Sequence, residues 1–473
     1  MTRVATTPAW DCIVTGSETE ACLAAVAAAR VGSRTLLIVE SRDRLGGILT
    51  WGGLAYVDRD SRHVVPPVVG GGDGLFGEFL ARADVALVAL DPHRGRSVLE
   101  EMLDESGVTV IVGRPARVSV EGGRLRSLTL DTGEMFEARF AIDGSADGDL
   151  LELLGGKFET GFRAHGLDRV LGTSPMPRLH GVTPSMIVET CRRLADDPDL
   201  EALRRDQFGD RPFLGLEQGE DWILVGPPHL GLAYRRFREA NPIPGSDPLE
   251  ADGFNIAVLG PELTSWNGLL LDIREPGRLL RLSREGADDL VDAEGHCFER
   301  FLRDELGWTR ARVVMPRGLY VRQTRHLVQA TRRLTFADIL SGAREDAVGT
   351  FSYYPDFRGL HLVPVHRPLL SPVPLGAGIF APVPNVGIAG RAAGYTPFAH
   401  SLARLVQFGC ILGSALGVAT SLAHESFEEA MPEHVRAGMA RIGAGADDPA
   451  GAAGNRQALE TCQGDPFLAL ELA

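Results

Sequence analysis

The chain has 473 residues, 44% of them hydrophobic and 23% charged, and a formal net charge of −15. That length supports two or three domains with real cores. The negative balance argues against a nucleic-acid partner or an anionic membrane surface.

Residues 11–40 read DCIVTGSETEACLAAVAAARVGSRTLLIVE. A short apolar strand (Cys12 to Thr15) enters a tight turn. An alanine-rich helix follows and stops at Gly32, and a second strand, Thr35 to Val39, ends on Glu40. This is the opening βαβ of a Rossmann-type domain, with Glu40 placed to hold a ribose hydroxyl. In the pattern G-x-G-x-x-G/A, Gly16 fills the first place and Ala21 the third. The second place, where backbone approaches a pyrophosphate, holds Glu18. Ser17 to Glu20 has the S-x-x-E form of a capping box, which predicts that the helix satisfies its own first N–H groups. A carboxylate and a phosphate charge about 4 Å apart repel by roughly 4 kcal/mol at an effective dielectric of about 20. Glu18 turned out to solvent escapes that cost.

Residues 42–53, RDRLGGILTWGG, form a glycine-rich loop after the second strand. Residues 94–113 read as a helix and then a strand. Residues 114–142 alternate like a hairpin around Glu121-Gly122-Gly123 and end on Phe140-Ala141-Ile142. Asp143, Ser145 and Asp147 imitate the start of a calcium loop, but the twelfth position is Leu154 and not a bidentate acid, so no metal site is expected. His361 and His366 lack a third ligand at metal spacing. Residues 160–315 mix strands with Pro-rich and Arg-rich loops, as in a separate cap. Residues 401–423 are too polar at Arg404 and Gln407 for a membrane span and predict one buried helix. Its Gly409, Gly413 and Gly417 recur every fourth residue and permit close packing on a sheet or a flat ligand. The stretch 440–465 predicts a loose tail, and Phe467 to Leu472 a segment that docks or stays free. The six cysteines (Cys12, Cys22, Cys191, Cys297, Cys410, Cys462) form no C-x-x-C, and MTRVATTPAW contains no apolar signal segment. Reduced packing cysteines and a cytoplasmic location are expected.

Four segments, in order, resemble the FAD-dependent oxidoreductase family allied to the flavoprotein subunits of fumarate reductase and succinate dehydrogenase and to glutathione-reductase-type Rossmann folds. RLGGILTWGG (44–53) is similar to the family's loop after the ribose-binding acid. ARFAIDGSADGDL (138–150) resembles its D-A-T-G-D-G-D segment, with Ala146 in place of a glycine. GLYVRQTRHLV and the residues to Pro355 resemble its R-E-S/T-R block, with Gln323 in place of the acid. NVGIAGRAAGYTPFAHSLARLVQFGCILGSALGVATSLA (385–423) resembles its closing flavin motif.

The resemblance implies an α/β fold, a Rossmann-type FAD-binding domain with an inserted α+β substrate or cap domain. The division is 1–160 and 316–435 for the FAD-type domain, 161–315 for the cap, and 436–473 for a flexible tail. It implies noncovalent FAD, weakened by Glu18. Gly16, Ser17 and Ala21 would face the pyrophosphate, Glu40 the ribose and Val118 the adenine. Gly46 and Gly47 would pass near the flavin, and Gly390 and Arg391 would lie at the ribityl chain. A helix starting near Ser401 would aim its N-terminus at the flavin, where a dipole stabilises reduced-flavin charge.

The expected activity is hydride or electron-pair transfer on a small organic, anionic metabolite. The alternative is a degenerate flavoprotein fold without FAD, serving as a non-redox enzyme, a ligand-binding protein or a partner subunit. A small-molecule substrate is the expected partner, with a homo-oligomer or a partner subunit as the expected assembly. His366, Arg367, His400 and Arg404 are the candidate catalytic residues: arginine binds carboxylates bidentately, and histidine exchanges protons near neutrality. For each one alone, a satisfied buried polar residue is the commoner fate. Arg322, Arg325, Arg332 and Arg333 divide evenly between substrate-side and structural roles.

Overall fold

The computed structural model describes residues 10–58, 74–210, 213–342, 345–360 and 368–445. Strand β1 (Trp10–Thr15) leads through a turn at Gly16 into helix α1 (Thr19–Arg30) and then strand β2 (Thr35–Val39). Both strands are near-continuous apolar runs, the composition of parallel strands covered on both faces. Strands β3 (Thr109–Val112), β4 (Pro115–Glu121), β5 (Arg124–Leu130) and β6 (Met135–Asp143) complete the main sheet. Its order is β3-β2-β1-β6-β5-β4, and the strand Val386–Ile388 pairs with the second half of β6. The pairings β3–β2, β2–β1, β1–β6 and β6 with Val386–Ile388 are parallel. The hairpin β4–β5 joins antiparallel to the first half of β6. The predicted βαβ opening, the hairpin turn at Glu121 to Gly123 and the return of the last segment to this sheet are all present.

A second sheet belongs to residues 178–314. Its six strands run Arg312–Val314, Arg178–His180, Leu263–Asn267, Phe254–Gly260, Trp222–Val225, Leu216–Gln218, each neighbour antiparallel. It has its own aromatic core of Tyr234, Phe254, Trp266, Phe298, Phe301 and Trp308. The fold is therefore the expected α/β class, with a Rossmann-type sheet and an inserted α+β unit.

The segment 401–423 is not one helix. It comprises Pro397–Ala403 and Val406–Ala419, bent by 92°. Leu405 is extended at the break, and Arg404 beside it is tied to Tyr320 and Asp356 from outside the helix. Among the described residues no single helix is long and apolar enough to cross a membrane. The glycine face packs on α1, a helix, instead of a sheet or ligand. A methyl added at Gly413 would sit 2.9 Å from the Glu20 carbonyl, and one at Gly417 would sit 2.5 Å from the Ala24 carbonyl. The tail also begins later than expected. The helix Pro432–Arg441 buries Val435 and Met439 in the main core, whereas Phe467 to Leu472 lie outside the described residues.

Gly417→Val is expected to lower stability by about 1–3 kcal/mol, because α1 backbone cannot yield to the added carbons. A shift of the urea midpoint at constant slope measures it; an unchanged midpoint would show that the two helices can move apart freely.

Candidate cofactor site

A cleft of about 130 Å³ opens at the carboxyl ends of β1, β2 and β6. This is where open α/β sheets place their ligands. Gly16 makes the turn after β1 with φ +100°, and any side chain there would strike the Ser145 amide at 2.4 Å. Gly144 is held just as closely: its added methyl would meet Ala21 Cβ at 2.4 Å. These two approaches fix the first and third fingerprint positions as glycine and alanine. The Ser17 hydroxyl donates to Glu40 at 2.8 Å. Gly16, Ser17, Glu40 and Gly47 all line the cleft.

The other expected contacts fall elsewhere. Ala21 packs under Gly144. Val118 packs against apolar neighbours, while Gly113, Arg114 and Pro115 form the cleft wall on that side. Gly46 stands behind the cleft: its N–H donates to the Ser17 carbonyl at 2.8 Å, and its carbonyl accepts from the Thr19 hydroxyl at 2.9 Å. Gly390 and Arg391 lie beyond Glu18 and Glu20. Arg44, Trp51, Ser283 and Arg284 also line the cleft; Arg44 and Trp51 fall within the family-like loop 44–53, whereas no motif marks Ser283 and Arg284. The last two come from the inserted unit's helix Pro276–Glu285.

Glu18 and Glu20 overturn the capping-box expectation. Glu18 is the residue before α1, and no side chain caps the helix. Nor does Glu18 turn out to solvent. Its carboxylate lies over Gly47, where an added methyl would be 2.2 Å from Oε2. That oxygen accepts from the Ile48 N–H at 3.2 Å and stands 3.6 Å from the Arg391 guanidinium. Burial raises the Glu18 pKa above the usual carboxylate range, against the pull of Arg391. Glu20 is buried against Gly390 and Gly409, and its Oε2 has no partner. Burial, and next the charge of Glu18, push its carboxyl up to about 8.

Whether FAD suits these residues can be tested directly. Glu40 offers a ribose acceptor, and the cleft beyond it is walled by backbone at Gly113. Buried polar atoms without partners collect deeper in: Thr15 Oγ1, Glu20 Oε2, Asp147 Oδ2, Arg391 Nε and Tyr395 OH. Such a collection marks a place for a polar ligand. Both ends therefore suit the cofactor. Between them stands the Glu18 carboxylate.

His400 and Arg404 lie together in a second buried cluster. Arg404 bonds the Tyr320 hydroxyl and Asp356, each at 2.5 Å. Arg322 stacks 4.2 Å over the same Tyr320 ring and donates to Gly172, Ser174 and Asn267. Tyr353 donates to Asp58 at 2.6 Å nearby. Burial raises the Asp356 carboxyl, but Arg404, Arg358 and Arg322 outweigh it and hold the group below its ordinary value. His400 Nε2 faces the Arg322 carbonyl at 3.0 Å and must carry the proton there, since a carbonyl only accepts. Burial, with His326 and Arg404 adding to it, depresses His400 well below its ordinary pKa. That shift favours the neutral ring and speaks against the proton exchange expected of it. His361, His366 and Arg367 lie outside the described residues. Arg325 pairs with Glu152 at 2.9 Å, Arg332 with Asp338 at 3.0 Å, and Arg333 with Glu159, so these three are structural. Asp143 likewise serves the fold, accepting from the Ser145 hydroxyl at 2.6 Å and the Leu151 N–H at 3.0 Å.

A parallel sheet with this cleft at its carboxyl ends, and a closing segment that brings Gly390 and Arg391 up behind Glu18 and Glu20, describes a dinucleotide-binding flavoprotein. The family profile described as "FAD dependent oxidoreductase" matches residues 11–438. The chain belongs to that family: it is a flavin enzyme, and FAD is its cofactor. No curated protein matches the sequence. Among solved structures, GidA from Aquifex aeolicus is 11% identical with a TM-score of 0.45, covering 88% of this chain. This chain spans 63% of the GidA chain. The flavin-dependent brominase Bmp2 is 10% identical with a TM-score of 0.42, covering 91% of this chain and 83% of its own. The Diels-Alderase PyrE3 of pyrroindomycin biosynthesis is 13% identical with a TM-score of 0.39, covering 98% and 76%.

A carboxyl raised by folding stabilises the protein fully below its unfolded value of about 4.3 and loses that contribution as pH rises through its folded value. For Glu20 the window runs up to about 8. Glu20→Gln is therefore expected to flatten the fall in urea midpoint between about pH 5 and pH 8. An identical fall in variant and wild type would mean that Glu20 is ionised in the folded protein.

Proposed function

We propose that the protein transfers a hydride or electron pair between noncovalent, weakly held FAD and a small anionic organic metabolite. The observation that carries the substrate class is the buried cluster of Arg322, Arg358 and Arg404 near Asp356, in which Arg358 also pairs with Asp252 at 3.3 Å. Arg322 and Arg404 each have an Nε without a partner, and guanidinium groups in such surroundings are matched to carboxylates. FAD supplies the electron-pair chemistry when bound. Glu40 and Ser17 would hold its ribose end, Gly16 and Gly47 would leave room for its chain once Glu18 withdraws, and Arg391 would offer positive charge. Arg404 orients an anionic group, and His400 positions Arg322 through the carbonyl hydrogen bond. His366 is proposed as the proton carrier and Arg367 as a further anion-binding residue, both outside the described residues. Free, buried cysteines at 12, 22, 191, 297 and 410 support a reducing, cytoplasmic location.

Weak binding follows from the like charge at Glu18. FAD is expected to bind with a Kd of roughly 1 μM or weaker, about −8 kcal/mol. Heating the complex should release all of the flavin into the supernatant. Flavin retained by the denatured chain would overturn the noncovalent reading, and failure to bind at high FAD would favour the cofactor-free alternative.

Small mono- and dicarboxylates are expected to perturb the bound flavin spectrum. Arg404→Gln and Arg358→Gln should each weaken that perturbation roughly tenfold or more while leaving FAD affinity unchanged. Perturbation by neutral analogues alone, or no change in either folded variant, would remove the anionic substrate from the proposal.

A further inference from the structure

The position of Glu18 has a meaning beyond weak binding. In α/β dinucleotide sites the pyrophosphate sits at the N-terminus of the first helix and is held by backbone N–H groups. Here the carboxylate before α1 lies beside that position, bonded to the loop after β2 and not to the N–H groups of α1, with partners suited to a phosphate. It accepts from the Ile48 N–H at 3.2 Å. It faces Arg391 at 3.6 Å. It lies over Gly47, whose lack of a side chain makes the space. Backbone bonds on either side tie the loop to α1: Glu18 and Gly46 form a parallel bridge, and the Gly46 N–H donates to Ser17. A side chain placed by accident would leave the N–H and the guanidinium to water. This one takes both. Independently, the buried Glu20 Oε2, Asp147 Oδ2 and Arg391 Nε around it have no partners, so the surroundings are built for more polar contacts than Glu18 supplies.

We propose that Glu18 is an internal stand-in for the cofactor's pyrophosphate, which holds the Gly46–Gly47 loop and Arg391 in protein without FAD and must be displaced when FAD binds. This rests on the reading of the cleft as an FAD site and adds the exchange that governs its occupancy. The Ile48 N–H and Arg391 pass from the carboxylate to the phosphate oxygens. FAD affinity is then the difference between two anions competing for one set of donors, and the same side chain that weakens FAD stabilises the protein that lacks it.

The test is calorimetric titration of wild type, Glu18→Gly and Glu18→Gln with FAD and with ADP, which carries the pyrophosphate without the flavin, together with Tm values. Glu18→Gly is expected to bind both ligands roughly tenfold or more tighter. Without ligand it should melt roughly 2–4 °C lower, and saturating FAD should reverse that loss. Glu18→Gln keeps the shape without the charge and should bind with intermediate affinity; if the glycine variant does not fold, this variant carries the test. Wild-type binding that neither variant improves would overturn the stand-in while leaving the FAD reading intact. A gain for FAD without one for ADP would place the obstruction at the flavin end and overturn it too. No FAD binding by any of the three would overturn the FAD reading itself, and the proposal with it.

Discussion

The contact between α1 and the helix Val406–Ala419 is the constraint on which the site depends. α1 presents Ala21, Ala24, Ala25, Ala27 and Ala28, all fully buried. The later helix answers with Gly409, Gly413 and Gly417, which touch Glu20, Ala24 and Ala28 almost backbone to backbone. Small residues on both faces let the axes approach closely, and dispersion over many short contacts does the rest. Nearly four hundred residues separate these helices in sequence. Their contact brings the chain's last sheet strand, and with it Gly390 and Arg391, to the N-terminus of α1.

That packing also sets the electrostatics. Glu18 and Glu20 enter a space whose nearest cation is Arg391, and Glu40, Asp147 and Asp149 line the same cleft. Arg284 offsets Asp149 at 2.6 Å, and Glu152 beside it at 2.7 Å. Burial still pushes Asp149 up to about 7, with Asp147 adding to the effect. The cleft thus holds carboxyls whose protons are worth more folded than unfolded, which is an unusual arrangement for binding a dianion. A bound phosphate either meets neutral carboxyls or displaces charged ones. The geometry favours displacement at Glu18, because the donors it uses are the ones a phosphate needs.

The fold was legible because its signals are local. Apolar runs at Cys12 to Thr15 and Thr35 to Val39, with a helix between them ended by glycine, leave little choice but a parallel βαβ unit. The hairpin at Gly122-Gly123 and the small-residue face at 409, 413 and 417 were equally plain. The site was legible where backbone geometry dictates the residue, as at Gly16 and Gly47, and at Ser17 and Glu40, which follow directly on β1 and β2. Side chains whose roles depend on distant partners were misread. Ser17 and Glu20 have the spacing of a capping box, yet Glu40 captures the serine and the late helix buries the glutamate. Arg404 lies in an apolar run that reads as one helix, but Asp356 and Tyr320 hold it at a right-angled break. Asp356 itself, in the stretch YYPDF, carries no pattern that announces three arginines.

The inserted unit does more than cover the site. Its helix Pro276–Glu285 sends Ser283 to Arg391 at 3.0 Å and Arg284 to Asp149 and Glu152. The Arg284 carbonyl accepts from Arg44, whose guanidinium stacks 4.0 Å over Trp51 in the glycine-rich loop. One helix end therefore touches the loop after β2, the segment after β6 and the closing segment at once. These are the three pieces of chain that would contact a cofactor in turn from ribose to flavin. Arg391, which faces Glu18 at 3.6 Å, is bonded to Ser283 of that helix. The inserted unit that supplies this helix also carries Gly172, Ser174 and Asn267, the partners of Arg322, so one unit of chain borders both the cleft and the second buried cluster.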